Sequence, residues 1–418
     1  EKDPAMYGGT CINVGCIPSK SLIHSAAMTV PSPYPAENVE RYRAAVEEKR
    51  RVTAMLRGKN YDKLASLPNV TIFNGTARFT GPRQVEVTGQ GEPICLEGTQ
   101  VFINTGSTPR VPNIEGIHQV LGVYTSAGLM DLDQLPAHLV IIGGGYIGLE
   151  FASLYRRFGS QVTLLQDGPR FLPKEDEDIA AAIKALLEKQ GVTFHLSAAI
   201  KRIEASPAVV FDWEGTEHRL EADAILVATG RVPNTEELNC QAAGIELTPR
   251  GAVKVDNLLR TTAPGVWAMG DVTGNQQHTY ISLDDSRIVW GQLVGNETHT
   301  TATRHNVPYS VFLSTPYSRV GMNEQEAREA GLPVKIATLP AAAIPKAQVL
   351  NATDGLLKAV IHEETNQILG AMLLCEESYE TINVIKLAMD LGANAAVLRD
   401  QIFTHPTMTE ALNDLFAL

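Results

Sequence analysis

Cys11 and Cys16, in the stretch GGTCINVGCIPSK at residues 8–20, are separated by four residues and set between paired glycines and a proline. In a regular helix, residues so spaced lie about 7.5 Å apart along the axis, beyond the Cα range of about 4.4–6.8 Å that a disulfide spans. Pro18 resolves this, because proline is tolerated in a helix only in its first turn. The sequence therefore predicts a helix starting near Cys16, with Cys11 in an irregular glycine-rich segment that curls back within bonding reach. A thiol at a helix N-terminus feels the positive end of the macrodipole, which favours the thiolate. Gly8 and Gly9 let the backbone lie flush against a flat ligand, and Lys20, one turn on, faces the same region. The chemistry expected is that of a redox-active dithiol beside a cofactor. Structural zinc needs four ligands, and no second Cys or His pair has suitable spacing. Burial as two inert thiols is the plainer alternative.

A second chemical signal lies in HLVIIGGGYIGLEFASLYRRFGSQVTLLQD, residues 138–167. Gly143, Gly145 and Gly148 form G-x-G-x-x-G between an apolar strand and a helix-period segment, with a second apolar strand after it. Inside such a unit the glycines point to a dinucleotide pyrophosphate on the helix N-terminus. The second strand should close on an acid for the ribose of NAD. Gln166 stands there instead, with Asp167 one residue late and Arg170 near enough to meet a 2′-phosphate, so NADH and NADPH both stay open. Farther on, AILVATGRVPN (224–234) and GVWAMGDVTG (265–274) each read as a strand ending in a glycine turn. Asp271, just past the latter, suits a sugar or ribityl hydroxyl, or simply forms the turn. Near the C-terminus, Thr407-x-x-Glu410 reads as a capping box with His405 before it.

These groups must be positioned by a chain of 418 residues, enough for two or three domains. At 44% hydrophobic and 20% charged residues it is globular in composition. The net charge of −12 argues against nucleic-acid and membrane-surface partners. No run approaches the roughly 18 apolar residues of a membrane helix, and no secretory signal is visible. Five irregularly spaced cysteines are not a secreted disulfide framework, so a cytoplasmic location is expected. Cys95, Cys240 and Cys375 carry no motif and read as packing residues. His24, one turn past Lys20, reads as a buried structural histidine.

Taken in order, GGTCINVGCIPSK, GGGYIGLE, ATGRVPN, GDVTG and HPTMTE (405–410) resemble the pyridine nucleotide-disulfide oxidoreductases. These are two-cysteine flavoenzymes such as lipoamide dehydrogenase, glutathione reductase and mercuric reductase. The resemblance covers essentially the whole chain. It implies an α/β fold with two dinucleotide-binding, Rossmann-like three-layer domains and a C-terminal α+β dimerisation domain. The expected limits are a partial FAD-binding domain at 1–135, an NAD(P)-binding domain at 136–255, the rest of the FAD and central region at 256–302, and an interface domain at 303–418. The strand–glycine loop–helix–strand unit that opens such chains, about 30 residues, is missing ahead of Glu1, so the sequence is expected to be a fragment.

The same resemblance assigns roles. Cys11 would be the substrate-facing sulfur and Cys16 the flavin-facing one, with Lys20 and Glu150 paired where hydride crosses. Glu1, Gly9, Thr10, Lys20, Thr105, Gly106, Ser107, Asp271 and the segment Gln277, His278, Thr279 and Tyr280 would contact FAD. Ala77 stands where relatives have a flavin-contacting glycine, a departure from the pattern. Gly143, Gly145, Tyr146, Ile147, Gly148, Glu150, Gln166, Arg170 and Gly230 would contact NADH or NADPH. His405, oriented by Glu410, would take the proton of the Cys11 thiol, reaching the other subunit of a homodimer.

Within the family, AMYGGTCINVGCIPSK, FINTG, TYISLDDSRIV, LPAAAIPKAQVLN and QIFTHPTMTEALNDLF look most like the bacterial reactive-chlorine-resistance flavoproteins, described as NAD(P)H-driven copper(II) reductases. That likeness implies Cu(II) as acceptor, with Cys11 and Cys16 as its ligands. Two soft thiolates do favour Cu(I) over Cu(II), and the pair would oxidise reversibly under hypochlorous acid. The chain ends LNDLFAL, without the C-terminal cysteine pair of mercuric reductases. Lipoamide dehydrogenase shares every catalytic residue named and is the alternative enzyme; a non-catalytic metal-binding or redox-sensing thiol protein is the alternative class.

Overall fold

Gly15 bends the chain between two helices, α1 (Gly9–Asn13) and α2 (Cys16–Ala27), in a computed structural model that describes residues 1–28, 31–89 and 91–417. The long helix α3 (Pro35–Ala65) packs on α2 through Leu22, Ala26, Tyr42, Ala45 and Val46. Strands β1 (Thr76–Gly81), β2 (Gln84–Thr88) and β3 (Ile94–Glu97) form an antiparallel meander. β4 (Val101–Ile103) and β5 (Ser107–Pro109) follow.

The second body is the doubly wound one. Its elements are β6 (Val123–Tyr124), α4 (Ser126–Met130), β7 (His138–Ile142), α5 (Tyr146–Phe158), β8 (Gln161–Leu165), α6 (Glu177–Lys189) and β9 (Val192–His195). A meander of β10 (Ala199–Glu204), β11 (Ala208–Trp213) and β12 (Thr216–Glu221) leads into β13 (Ala224–Val227). The parallel sheet runs β6-β13-β7-β8-β9. Continuous apolar runs such as HLVII and AILV become central strands because helices and the meander cover both faces; β13 is buried along its whole length. The chain then returns to the first body. β14 (Arg231–Pro233) pairs with β5, β15 (Val266–Ala268) runs parallel beside β4, and α7 (Thr279–Leu293) closes the segment. Among the described residues, the β4–β15 pair is the only parallel strand pairing of the first body.

The third body holds β16 (Tyr309–Val311), β17 (Tyr317–Gly321), α8 (Glu324–Glu329), β18 (Val334–Pro340), α9 (Pro345–Leu350), β19 (Leu356–His362) and β20 (Ile368–Leu374). α10 (Ser378–Asp390), α11 (Ala395–Asp400) and α12 (Ala411–Leu415) complete it. Its antiparallel sheet runs β16-β17-β20-β19-β18. Three sequence expectations change. Cys11 lies inside the short helix α1 rather than in irregular chain, because Gly8 in the left-handed region starts a helical turn directly. His24 is exposed, since it falls on the face of α2 away from the Leu22 and Ala26 contacts with α3. Cys95 is exposed on β3, an edge strand of its meander, whereas Cys240 and Cys375 are buried as expected. Among the described residues no helix is long and apolar enough to cross a membrane.

A buried polar knot ties the second body to the third. The Glu175 side chain is 0% exposed. It accepts hydrogen bonds from the hydroxyls of Tyr146, Tyr309 and Tyr317, and Arg319 Nη1 lies 3.4 Å away. Burial, with the adjacent carboxylate, holds all three phenols above their ordinary pKa, so they stay protonated and donate. Removing the acceptor takes the carboxylate from three hydroxyls, while Arg319 keeps Glu326 and Lys174 O. Glu175→Ala is expected to cost about 3–5 kcal/mol in equilibrium urea unfolding; a loss under about 1 kcal/mol would show the knot to be energetically idle.

Candidate functional site

The cysteine elbow is made by its own backbone. Val14 N–H donates to Thr10 O (3.0 Å) and Ser19 N–H to Gly15 O (3.1 Å), so one helix ends as the next begins. A Cβ on Gly15 would sit 3.0 Å from Thr10 O, so a side chain there would crowd the fold-back. Asn13 locks the turn: its Nδ2 donates to Tyr7 O and Gly9 O (both 2.9 Å), and its Oδ1 accepts from Arg57 Nε of α3 (2.8 Å).

The elbow brings the two sulfurs into hydrogen-bond contact, both as free thiols, Cys11 half-buried and Cys16 exposed. Their environments push them apart. The Cys11 S–H donates to Cys16, and that bond is the largest influence lowering the Cys16 pKa to about 6. Desolvation opposes it, while the Thr279 hydroxyl and the Lys20 charge add to it. Thr279 Oγ1, in the first turn of α7, lies 3.6 Å from Cys16 Sγ. Cys11 moves the other way, held far above the usual thiol range by that same bond and by burial. One sulfur is a ready thiolate at neutral pH; the other keeps its proton.

Lys20 pairs with Glu150. Its Nζ lies 2.9 and 2.7 Å from the two carboxylate oxygens, and Glu150 Oε1 also accepts from Phe312 N–H (2.9 Å). The ammonium sits 4.7 Å from the Phe312 ring centroid, a cation–π contact, and that ring stacks on Tyr379 of α10. The pair thus joins α2, α5 and the chain after β16.

Beside the elbow, Asp271 Oδ2 accepts from Ser107 Oγ (2.6 Å). Arg231 donates to Ser107 Oγ (2.8 Å) and Ser107 O (2.6 Å). Thr105 Oγ1 donates to Asn234 O (2.8 Å). Gly9 and Gly106 are open-sided, with no atom within 4 Å of a built Cβ, and Thr10 lies between Gly9 and Cys11 on α1. Gln277 leads into His278 and Tyr280, whose rings stack at 5.0 Å, and burial lowers the His278 pKa. Glu1 O accepts from Gly75 N–H at the head of β1, two residues before exposed Ala77. This donor set fits FAD. Open glycines would admit the flat ring next to Cys16, and the Asp271 carboxylate would accept from ribityl hydroxyls.

The second cradle is at α5. A Cβ on Gly148 would lie 2.1 Å from Gly143 O, so helix and turn touch only because no side chain intervenes. Gly145 caps α5, exposed and with free space around it, and Ile147 and Gly230 are exposed nearby in sequence and fold. The Tyr146 side chain is engaged by Glu175 and Tyr309. Gln166 lies against Gly144, and Arg170 lines a separate cleft with Asp176, Asp178 and Glu324.

In the third body, His405 Nδ1 is 2.7 Å from Glu410 Oε2, with the imidazole 69% exposed. Thr407 and Glu410 make both capping-box hydrogen bonds just ahead of α12. α12 packs on α11, β18 and β19, so this pair sits apart from the elbow within one chain. Among the described residues no group of three or more metal-ligating side chains forms. Sequence reasoning missed Asn13, Arg57, Arg231 and Phe312. Asn13 and Arg231 gave a signal, their places inside the cysteine motif and ATGRVPN; Arg57 and Phe312 come from distant segments.

Comparison with known proteins agrees with this arrangement. The family described as pyridine nucleotide-disulphide oxidoreductase matches residues 1–287, and its dimerisation domain matches 307–416. The probable pyridine nucleotide-disulfide oxidoreductase RclA of Escherichia coli (strain K12) is 48% identical, across 100% of this chain and 92% of that protein. The solved Cu(II) complex of HOCl-induced flavoprotein disulfide reductase RclA from Escherichia coli superposes with a TM-score of 0.93 at 47% identity, covering 100% and 92% of the two chains. Dihydrolipoyl dehydrogenase of Bacillus subtilis (strain 168) is 32% identical over 98% of this chain and 88% of its own.

The electrostatics of the elbow predict its titration. Ultraviolet thiolate absorbance of the reduced protein should show one cysteine ionising near pH 6, with the thiolate above that pH and the thiol below it. Cys11→Ala and Thr279→Val each remove a donor to Cys16 and should move that midpoint upward. An unchanged midpoint in both variants would mean the neighbours named do not set it.

Proposed function

The chain belongs to the pyridine nucleotide-disulphide oxidoreductase family, and from that premise we propose that it is a flavoenzyme moving electrons from NADH or NADPH to Cu(II) through Cys11 and Cys16. The observation that carries this reading is the sulfur pair with opposed proton affinities beside Lys20. The copper acceptor is supported by the Cu(II) complex of the Escherichia coli relative and by the softness of paired thiolates.

Bound FAD would supply the two-electron relay between nicotinamide and sulfur, held by Ser107, Asp271, Thr105, Gly106 and Gly9. The chain's own residues do the rest. One hydride and one proton convert the Cys11–Cys16 disulfide to two thiols, leaving NAD(P)⁺. The dithiol then gives one electron to each of two Cu(II) ions, re-forming the S–S bond and releasing two protons and two Cu(I). Lys20, fixed by Glu150, offsets negative charge arising near Cys16. Glu410 orients His405 to take the Cys11 proton.

His405 lies on the third body, so it would serve the cysteines of a second copy. A two-fold homodimer joined through the family's dimerisation domain gives that arrangement. The role inferred is defence against reactive chlorine, supported by the HOCl-induced Escherichia coli relative, in a reducing cytoplasm.

Steady-state assays on flavin-loaded protein test this. Cu(II) should accelerate NAD(P)H oxidation at least about tenfold, and Cys11→Ala should lower the Cu(II)-dependent rate by about a hundredfold or more. Robust NAD⁺ reduction by dihydrolipoamide, without Cu(II) stimulation, would contradict the proposal in favour of a lipoamide dehydrogenase.

A further inference from the structure

The end of β8 faces the turn that would hold the dinucleotide, and in such folds that position reads the ribose next to adenine. Gln166 occupies it, and its amide is not free to choose an orientation. Nε2 donates to Gly168 O (3.3 Å) and Arg170 O (2.6 Å). Both partners are carbonyls, which only accept, so the NH₂ must point at the loop and Oε1 must point away. Oε1 is turned onto the glycine turn, where a Cβ on Gly144 would meet it at 2.0 Å.

The loop is itself anchored. Gln166 N–H donates to His195 O (3.0 Å), Ala198 N–H to Gln166 O (2.8 Å) and Ser197 N–H to Gly168 O (3.2 Å). Gln166 therefore presents a pure acceptor to the cradle.

The residue next to Gln166 in the chain is acidic. Asp167 is exposed beside it. Arg170 lines a cleft of about 670 Å³ in which Asp176, Asp178 and Glu324 are already paired with Lys358, and Glu324 also with Arg328. That cleft lies apart from the glycine turn. A ribose 2′-hydroxyl can donate to Oε1. A 2′-phosphate carries about −1.5 to −2 charges and no proton to give at neutral pH; it would meet an acceptor and a carboxylate.

We infer that Gln166, clamped by its own loop, makes this chain select NADH over NADPH. The inference rests on the dinucleotide cradle of the proposed function and narrows it.

Equilibrium binding separates the two claims. Isothermal titration of oxidised, flavin-loaded protein with NAD⁺ and NADP⁺ should give at least about tenfold tighter binding of NAD⁺, equivalent to about 1.4 kcal/mol. The ratio of kcat/KM for NADH and NADPH should lean the same way. Gln166→Ala should collapse both preferences toward unity, mainly by weakening NAD⁺. Arg170→Ala should leave the ratio within about twofold. Equal or tighter NADP⁺ binding, or a selective loss of NADP⁺ in Arg170→Ala, would overturn the inference while leaving the cradle intact. Absence of binding by either nucleotide would overturn the cradle and the inference together.

Discussion

The half-buried ion pair between Lys20 and Glu150 is the constraint on which the site depends. It reaches across 130 residues to hold the cysteine helix against the nucleotide-binding helix, with both carboxylate oxygens engaged. Glu150 is 8% exposed, so its charge needs these partners. Lys20 Nζ and Phe312 N–H supply them, and the Phe312 ring covers the ammonium. A buried pair of this kind is weak as a source of stability, because desolvation offsets much of the attraction. Its value here is positional: it sets where the cation stands relative to Cys16, and so which sulfur becomes the thiolate.

The remaining structure serves that placement. Asn13 and Arg57 freeze the elbow so that two sulfurs from successive helices meet. Thr279 arrives from α7 and gives Cys16 a second donor. The Glu175 knot fixes the third body against the second, which steadies Phe312 over Lys20 and keeps Tyr146 at the start of α5. Thiolate and ammonium then stand together, with open-sided Gly9 at the start of α1.

Much of this was legible in the sequence where chemistry is local. Pro18 marks the start of α2, and the helix begins at Cys16. Apolar HLVII and AILV mark central parallel strands, and the glycines of 143–148 mark the turn between strand and helix. The Thr407–Glu410 capping box follows from spacing, and the His405–Glu410 contact is the one the family resemblance implies. What escaped is non-local. Arg57 carries no motif and Arg231, though inside ATGRVPN, has no recognised role, and their roles arise only when α3 and β14 are brought beside the elbow and Ser107. Cys11 was misplaced because a five-residue helix has no periodicity to read, and His24 because the packed face of α2 is decided by α3.

The central claim is that Cys11 and Cys16, and no other cysteines, are the electron carriers of this chain. Alkylation mapped by mass spectrometry, on oxidised flavin-loaded protein before and after one equivalent of NADH, tests it most directly. The account predicts that NADH newly exposes Cys11 and Cys16 to label together, while Cys95, Cys240 and Cys375 are unchanged. Label appearing at any other cysteine, or at neither member of the pair, would contradict it.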